Sequence, residues 1–292
     1  MDDGRRPPGA TTIDLGFAPQ LRHAAVPVEV IEWSELMERM PEPYVARRQR
    51  AQFNQLILCT GGCGVHTVDF SPVSIKAGTM LRVRPGQVQQ FQAPPSFDAR
   101  MVIWPVESDP PVPYSPTWFP GSVTPATWEL DPSQHDRMLA WAGELRFQQE
   151  HFDGSPVQAD LIRAVLRAML LVVEVELRGN PTFPDSLPQA YIDLRQELER
   201  DIARRPSVTE LARRLGYSTR TLDRACQQVS GQTARQVVDE RIALEIRRHL
   251  ADTSRSIAQI RTDLGHHDPS NFTRFVVRHL GQSPAEFRQQ LP

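Results

Sequence analysis

The last hundred residues of this 292-residue chain repeat themselves, and that repeat leaves few folds open. When SVTELARRLGYSTRTLDRACQQVSGQTARQ (207–236) is set above SIAQIRTDLGHHDPSNFTRFVVRHLGQSPAE (256–286), Val208, Leu211 and Leu215 fall on Ile257, Ile260 and Leu264. With one extra residue in the second turn, Leu222 falls on Phe272, Arg224 on Arg274, and Gly231-Gln232-Thr233 on Gly281-Gln282-Ser283. Ser207 and Ser256 each open a helix, and Glu210 and Gln259 stand where a capping box needs them. Thr233 with Gln236 and Ser283 with Glu286 repeat that device, and Pro284 takes a first helical position. Gly216 and Gly265 lie just past a helix end, where a left-handed backbone favours glycine. Each unit is therefore a short capped helix, a tight turn and a second helix. This is the helix-turn-helix pattern, over about 207–229 and 256–280.

Two helical hairpins could also be mere scaffold, and the second helix of each unit decides between the readings. In the first, Leu222, Ala225, Cys226 and Val229 face a core, which turns Thr219, Arg220, Asp223, Arg224 and Gln227 outward. In the second, Phe272, Phe275 and Val276 face inward, which turns Ser270, Asn271, Thr273, Arg274 and Arg278 outward. Arg forks onto guanine and Asn onto adenine, so both outward sets suit base edges in a major groove. A long helix from Ala234 to about Leu250 would hold the two readers one after the other.

Charge agrees. Residues 189–292 hold 17 Arg against 13 Asp and Glu, a net +4, while residues 1–188 are net −6 and the whole chain is −2. A basic back half and an acidic front half point to DNA binding in one and another task in the other. The front half reads as short strands at turn-separated intervals: QFNQLILC (52–59), a GGCG break, VHTVDF (65–70), TMLRVRPG and DARMVIWP (98–105). Such spacing predicts a small sandwich or barrel. From Pro132 the pattern turns helical, and Leu161, Ile162, Val165, Leu166 and Met169 recur at three- and four-residue steps. That stripe can pack on the chain's own strands or on a second copy, and both are expected. RGNPTFPDSLPQA (178–190) has three prolines and no period, so it reads as a linker. No apolar run reaches the roughly 18 residues of a membrane span, and the first residues lack a signal-peptide pattern. Cys59, Cys63 and Cys226 have no metal-finger spacing and read as free thiols in a reducing, cytoplasmic setting.

The chain resembles the AraC-type transcriptional regulators. The resemblance rests on LARRLGYSTRTLDRAC, on IAQIRTDLGHHDPSNFTRFVVRHLGQSPAEFR and above all on the close Gly281-Gln282-Ser283-Pro284-Ala285-Glu286-Phe287-Arg288. It implies two readers in successive major grooves, with base-contact positions at Arg220, Asp223 and Arg224, then Ser270, Asn271, Thr273 and Arg274. There are two departures: His266 stands where the family carries an aromatic, and Pro269 offers no donor at the second reader's first position. The second reader is accordingly expected to grip phosphate more than it reads bases. FNQLILCTGGCGVHTVDF and GTMLRVRPGQVQQF resemble the family's cupin-type sensor. A metal cupin needs a His-x-His pair, a Glu and a later His, whereas here His66 is alone and Gln89 stands where relatives often have His. Metal binding and metal-dependent catalysis are not expected. His266 and His267 are read as capping the turn in preference to touching phosphate.

The expected protein is thus α+β and multidomain. An arm (1–20), a cupin-like sensor barrel (21–130), a helical dimerisation segment (131–178) and a linker (179–190) precede an all-α, homeodomain-like double helix-turn-helix domain (191–292). It is expected to be a homodimer binding double-stranded DNA at promoter sites, to meet RNA polymerase if it activates, to need no cofactor or metal, and to answer to a small-molecule effector. The alternative reading has no effector and a front half that only dimerises.

Overall fold

The computed structural model describes residues 12–17, 28–40, 46–92, 96–106, 127–177, 187–252 and 254–291. They fall into two compact units. In the front unit the strands are β1 (Ile13–Leu15), β2 (Glu29–Glu32), β3 (Gln49–Ala51), β4 (Phe53–Gly61), β5 (Cys63–Val68), β6 (Ser71–Lys76), β7 (Thr79–Val83), β8 (Val88–Gln92), β9 (Asp98–Pro105) and β10 (Thr127–Glu129). Among the described residues they make two five-stranded sheets, ordered β1-β3-β8-β5-β6 and β10-β7-β4-β9-β2. Alternating side chains from the two inner faces meet in one core: Ile57, Leu81, Val83 and Met101 from the second sheet against Val68, Ile75 and Phe91 from the first. A short helix, α1 (Trp33–Arg39), closes one end by placing Trp33 against Phe91 and Phe97, with ring centroids 5.0 and 4.8 Å away.

Strand β4 is apolar on both faces because both are covered. Ile57 and Cys59 point between the sheets, while the alternate residues Leu56 and Leu58 lie on the other face and are also buried. Helix α2 (Pro132–Glu150) lies across this sheet, with Met138, Ala142 and Leu145 buried. Gln149 Oε1 accepts the Val30 N–H at 2.6 Å and so pins the helix to β2. Helix α3 (Pro156–Leu177) packs on α2.

Two front-half expectations change here. The span read as an arm, 1–20, lies outside the described residues except at 12–17, and Ile13–Leu15 is a strand paired in parallel with β3. Of the five residues assigned to dimerisation, Ile162, Leu166 and Met169 are fully buried inside the unit, and Val165 is half-buried. Only Leu161, 44% exposed, remains free. An amphipathic period shows that a stripe is apolar, not which edge of it the chain's own helix will cover; α2 takes the 162/166/169/173 edge. The uncovered apolar edge is Val157, Leu161, Ala164, Leu171 and Val175, with half-buried Ala168 between them.

The second unit is all helical: α4 (Gln189–Arg200), a 3₁₀ turn (Ile202–Arg204), α5 (Val208–Leu215), α6 (Thr219–Ser230), α7 (Ala234–Ala251), α8 (Ile257–Asp263), α9 (Pro269–Leu280) and α10 (Pro284–Gln290). Of the segment read as a linker, 179–186 lies outside the described residues and 189–190 already belongs to α4. That helix buries Ala190, Tyr191, Leu194 and Leu198 against α5 and α6, and Arg241 of α7 clamps Glu199 with two 2.6 Å bonds.

Candidate nucleic-acid interface

Each reader is set by its caps. Ser218 accepts the Thr221 N–H at the start of α6, and Asp268 accepts the Asn271 N–H at the start of α9, where Pro269 supplies a pre-set φ. The helix before each reader starts on Ser207 or Ser256. Ser256 and Gln259 form the full capping box, as do Thr233 with Gln236 and Ser283 with Glu286. Ser207 accepts the Glu210 N–H, but the Glu210 carboxylate turns away to Arg214, four residues on. An arginine one turn along outcompetes a neutral backbone N–H for a carboxylate.

Gly216 and Gly265 have φ of +72° and +67°, the left-handed turns expected between the helices. They differ in what surrounds them. A Cβ on Gly216 would meet open space, whereas a Cβ on Gly265 would lie 2.7 Å from the Ala203 carbonyl oxygen. The 3₁₀ turn is thereby wedged against the second helix-turn-helix. Arg205, which follows it, stacks its guanidinium 5.3 Å from the Phe275 ring centre. His266 completes this junction. It is buried, with its ring edge-on to Phe272 at 4.8 Å and Phe275 at 5.5 Å, and so fills the role of the expected aromatic. Burial, with Arg205 and Arg261 nearby, pushes its pKa down to about 4. His266 is therefore neutral core rather than a cap on the turn, and it is Arg261 that ties the turn, donating to the His266 and His267 carbonyls.

The outward faces come out as the repeat implies. Thr219, Arg220, Arg224 and Gln227 are exposed on α6, and Ser270, Asn271, Thr273, Arg274 and Arg278 are exposed on α9. Asp223 differs: it is half-buried, and its Oδ1 accepts the Ala234 N–H at 2.9 Å, joining α6 to the start of α7. That tie spans eleven residues, and only the fold shows it. Charge is distributed unevenly over the arginines. Arg200, Arg204, Arg214, Arg235, Arg241, Arg248 and Arg255 are all ion-paired. Arg220, Arg224 and Arg278 have no acidic partner among the described residues, and Arg274 bonds only to the neutral Asn271 Oδ1.

In the front unit, His66 is buried and its Nε2–H donates to Gln89 Oε1 at 3.2 Å. Burial pushes its pKa down to about 3. No cluster of three potential metal ligands occurs among the described residues. Cys59 and Cys226 are buried and their thiols are pushed up to about 11 by desolvation; Cys63 is exposed. Between the sheets, at the end closed by α1, lies a cavity of about 220 Å³. No described helix is long and apolar enough to cross a membrane.

A family model described as a helix-turn-helix domain matches residues 211–290. The HTH-type transcriptional activator RhaS of Salmonella arizonae is 22% identical over 255 residues, covering 81% of this chain and 85% of that protein. RhaS of Salmonella paratyphi A is 23% identical over 256 residues with the same coverage. Among solved structures, ToxT from Vibrio cholerae O395 is similar over 90% of this chain and 96% of its own, with 11% identity and a TM-score of 0.42.

Proposed function

The chain belongs to the AraC-type DNA-binding transcriptional regulators, and from that premise we propose that α6 and α9 read bases in two successive major grooves of promoter DNA. The observation that carries this reading is the outward face of each reader helix. Arg220, Arg224, Arg274 and Arg278 are exposed there with no carboxylate partner among the described residues. Such side chains are available to fork onto guanine O6 and N7 or onto phosphate. Arg220, Arg224 and Gln227 read in the first groove, while Asn271 and Arg274 reach bases in the second and Ser270, Thr273 and Arg278 add phosphate contacts. Asp223, occupied at the α7 start, orients rather than reads. Pro269 leaves the second reader the weaker in base discrimination.

The test is selection of bound sites from random duplex DNA at fixed salt, comparing the full chain with its Arg224→Ala and Arg274→Ala variants. A base reader's loss relaxes one position by about 1 to 3 kcal/mol, whereas a phosphate contact's loss weakens all sequences alike. A uniform loss in both variants removes the base-reading assignment. The front unit serves as the cupin-like sensor, and a small-molecule effector held in the cavity between its sheets shifts how the readers are presented. It can do so only by its difference in affinity for the two arrangements. The chain acts as a homodimer in the cytoplasm, through the edge of α3 that α2 leaves uncovered. Val157, Leu161, Ala164, Ala168, Leu171 and Val175 alternate by four and three residues, the spacing at which one helix seams against its copy. The relatives named as activators favour recruitment of RNA polymerase as the output.

A further inference from the structure

We propose that the cavity of the front unit takes an uncharged, single-ring amphiphile whose polar edge carries both a hydrogen-bond donor and an acceptor, with an aromatic carboxamide as the simplest representative. The proposal rests on the effector reading above and names the ligand class. Three observations carry it.

The first is a buried polar group without a partner. Gln55, on β4, lines the cavity and is only 2% exposed, yet its side chain makes no hydrogen bond among the described residues. With no protein partner, the amide is left to bond whatever occupies the cavity. Gln89, also lining the cavity and 2% exposed, spends its carbonyl on His66 and has no partner for its N–H₂. Together they offer a donor and acceptor from Gln55 and a further donor from Gln89. A neutral amide or lactam edge is the complement of that set.

The second is charge. Among the described residues, the acidic and basic side chains lining the cavity are Glu29 and Arg39, and Arg39 Nη1 donates to Glu29 Oε1 at 2.5 Å. A carboxylate ligand would have to take Arg39 from Glu29, and a cationic ligand would have to take Glu29 from Arg39. The first exchange strands the buried Glu29 carboxylate, which is strongly unfavourable, and the second has to displace an arginine already bonded to it.

The third is size and lining. Leu36, Phe53, Phe91, Met101 and Ile103 supply an apolar body around the polar groups. At about 220 Å³ the cavity lies above the roughly 150 Å³ that accepts a benzene ring and below the roughly 300 Å³ where drug-sized pockets begin. One ring with one polar substituent fills it.

The experiment measures dissociation constants of the full chain for benzamide, benzoate and benzamidine, three probes of one size that differ in charge, by ligand-observed NMR titration. Benzamide is expected to bind at least tenfold more tightly than either charged probe. Gln55→Leu, which removes the unpaired amide without adding a polar group, should weaken benzamide about tenfold. Gln55→Glu should turn the preference toward benzamidine. Equal or tighter binding of benzoate or benzamidine to the unaltered chain overturns the ligand class while leaving effector control standing. Benzamide binding that is indifferent to Gln55→Leu overturns the placement in this cavity. Binding of none of the three overturns both this inference and the effector reading on which it rests.

Discussion

Replacing Gly265 by alanine tests whether the 3₁₀ turn is locked against the second helix-turn-helix, and Gly216→Ala is its internal control. Both glycines sit at nearly the same left-handed φ, +67° and +72°, so a side chain at either costs about 1 kcal/mol for conformation alone. At Gly216 nothing more is added, because the new methyl points into open space. At Gly265 the methyl would lie 2.7 Å from the Ala203 carbonyl oxygen, a backbone atom that cannot swing aside. The 3₁₀ turn must shift, carrying Arg205 off Phe275, and overpacking of this kind adds about 1 to 2 kcal/mol. Expected totals are therefore about 1 kcal/mol for Gly216→Ala and about 2 to 3 kcal/mol for Gly265→Ala. The assay is native-state hydrogen exchange of the α7 amides, the slowest-opening part of this unit on burial grounds. Protection should fall about fivefold for the first variant and roughly 30- to 150-fold for the second. Equal losses in the two variants would show that the wedge of the 3₁₀ turn against the second helix-turn-helix carries no energy.

Further outcomes follow from other parts of the fold. Leu161→Glu, on the uncovered edge of α3, should turn a dimer into a monomer in analytical ultracentrifugation with the melting temperature of the front unit little changed. Leu166→Ala, on the covered edge, should leave association intact but cost about 2 to 5 kcal/mol of stability in urea unfolding. Arg241→Ala strands Glu199 in a largely buried setting, while Glu245 keeps Arg248, and about 3 to 5 kcal/mol should be lost from the second unit. His266 has a folded pKa lowered to about 4 against an ordinary 6.5, so the unfolded chain takes up the proton first. Its contribution is complete above about pH 6.5 and is lost as the pH falls toward 4, about 2 kcal/mol of it by pH 5. Urea unfolding of His266→Phe between pH 7 and 5 should lack that part of the decline, and an unchanged slope would contradict the buried, neutral histidine.

The double helix-turn-helix was legible in the sequence because its signals are local. A cap bonds to the residue three positions on, a left-handed turn requires glycine, and a helix face is a sum of steps of three and four. Those relations survive without any knowledge of neighbours, so the capped helix before each reader, the glycine turn and every outward residue but Asp223 could be named from spacing alone. What could not be named depends on partners distant in the chain. Asp223 is drawn to the start of α7, eleven residues on. His266 becomes an aromatic surrogate because Phe272, Phe275 and Arg205 close around it.

The amino-acid sequence by itself determined that the back half carries two helix-turn-helix units with outward arginines on the second helix of each, and that the front half is strands followed by apolar helices. Only the tertiary structure decided which edge of α3 is spent inside the unit, that Ile13–Leu15 joins a sheet, and that Gln55 looks into a cavity with its amide unmet. The reason is physical: periodicity and capping are properties of a chain segment, whereas coverage and satisfaction are properties of what packs against it.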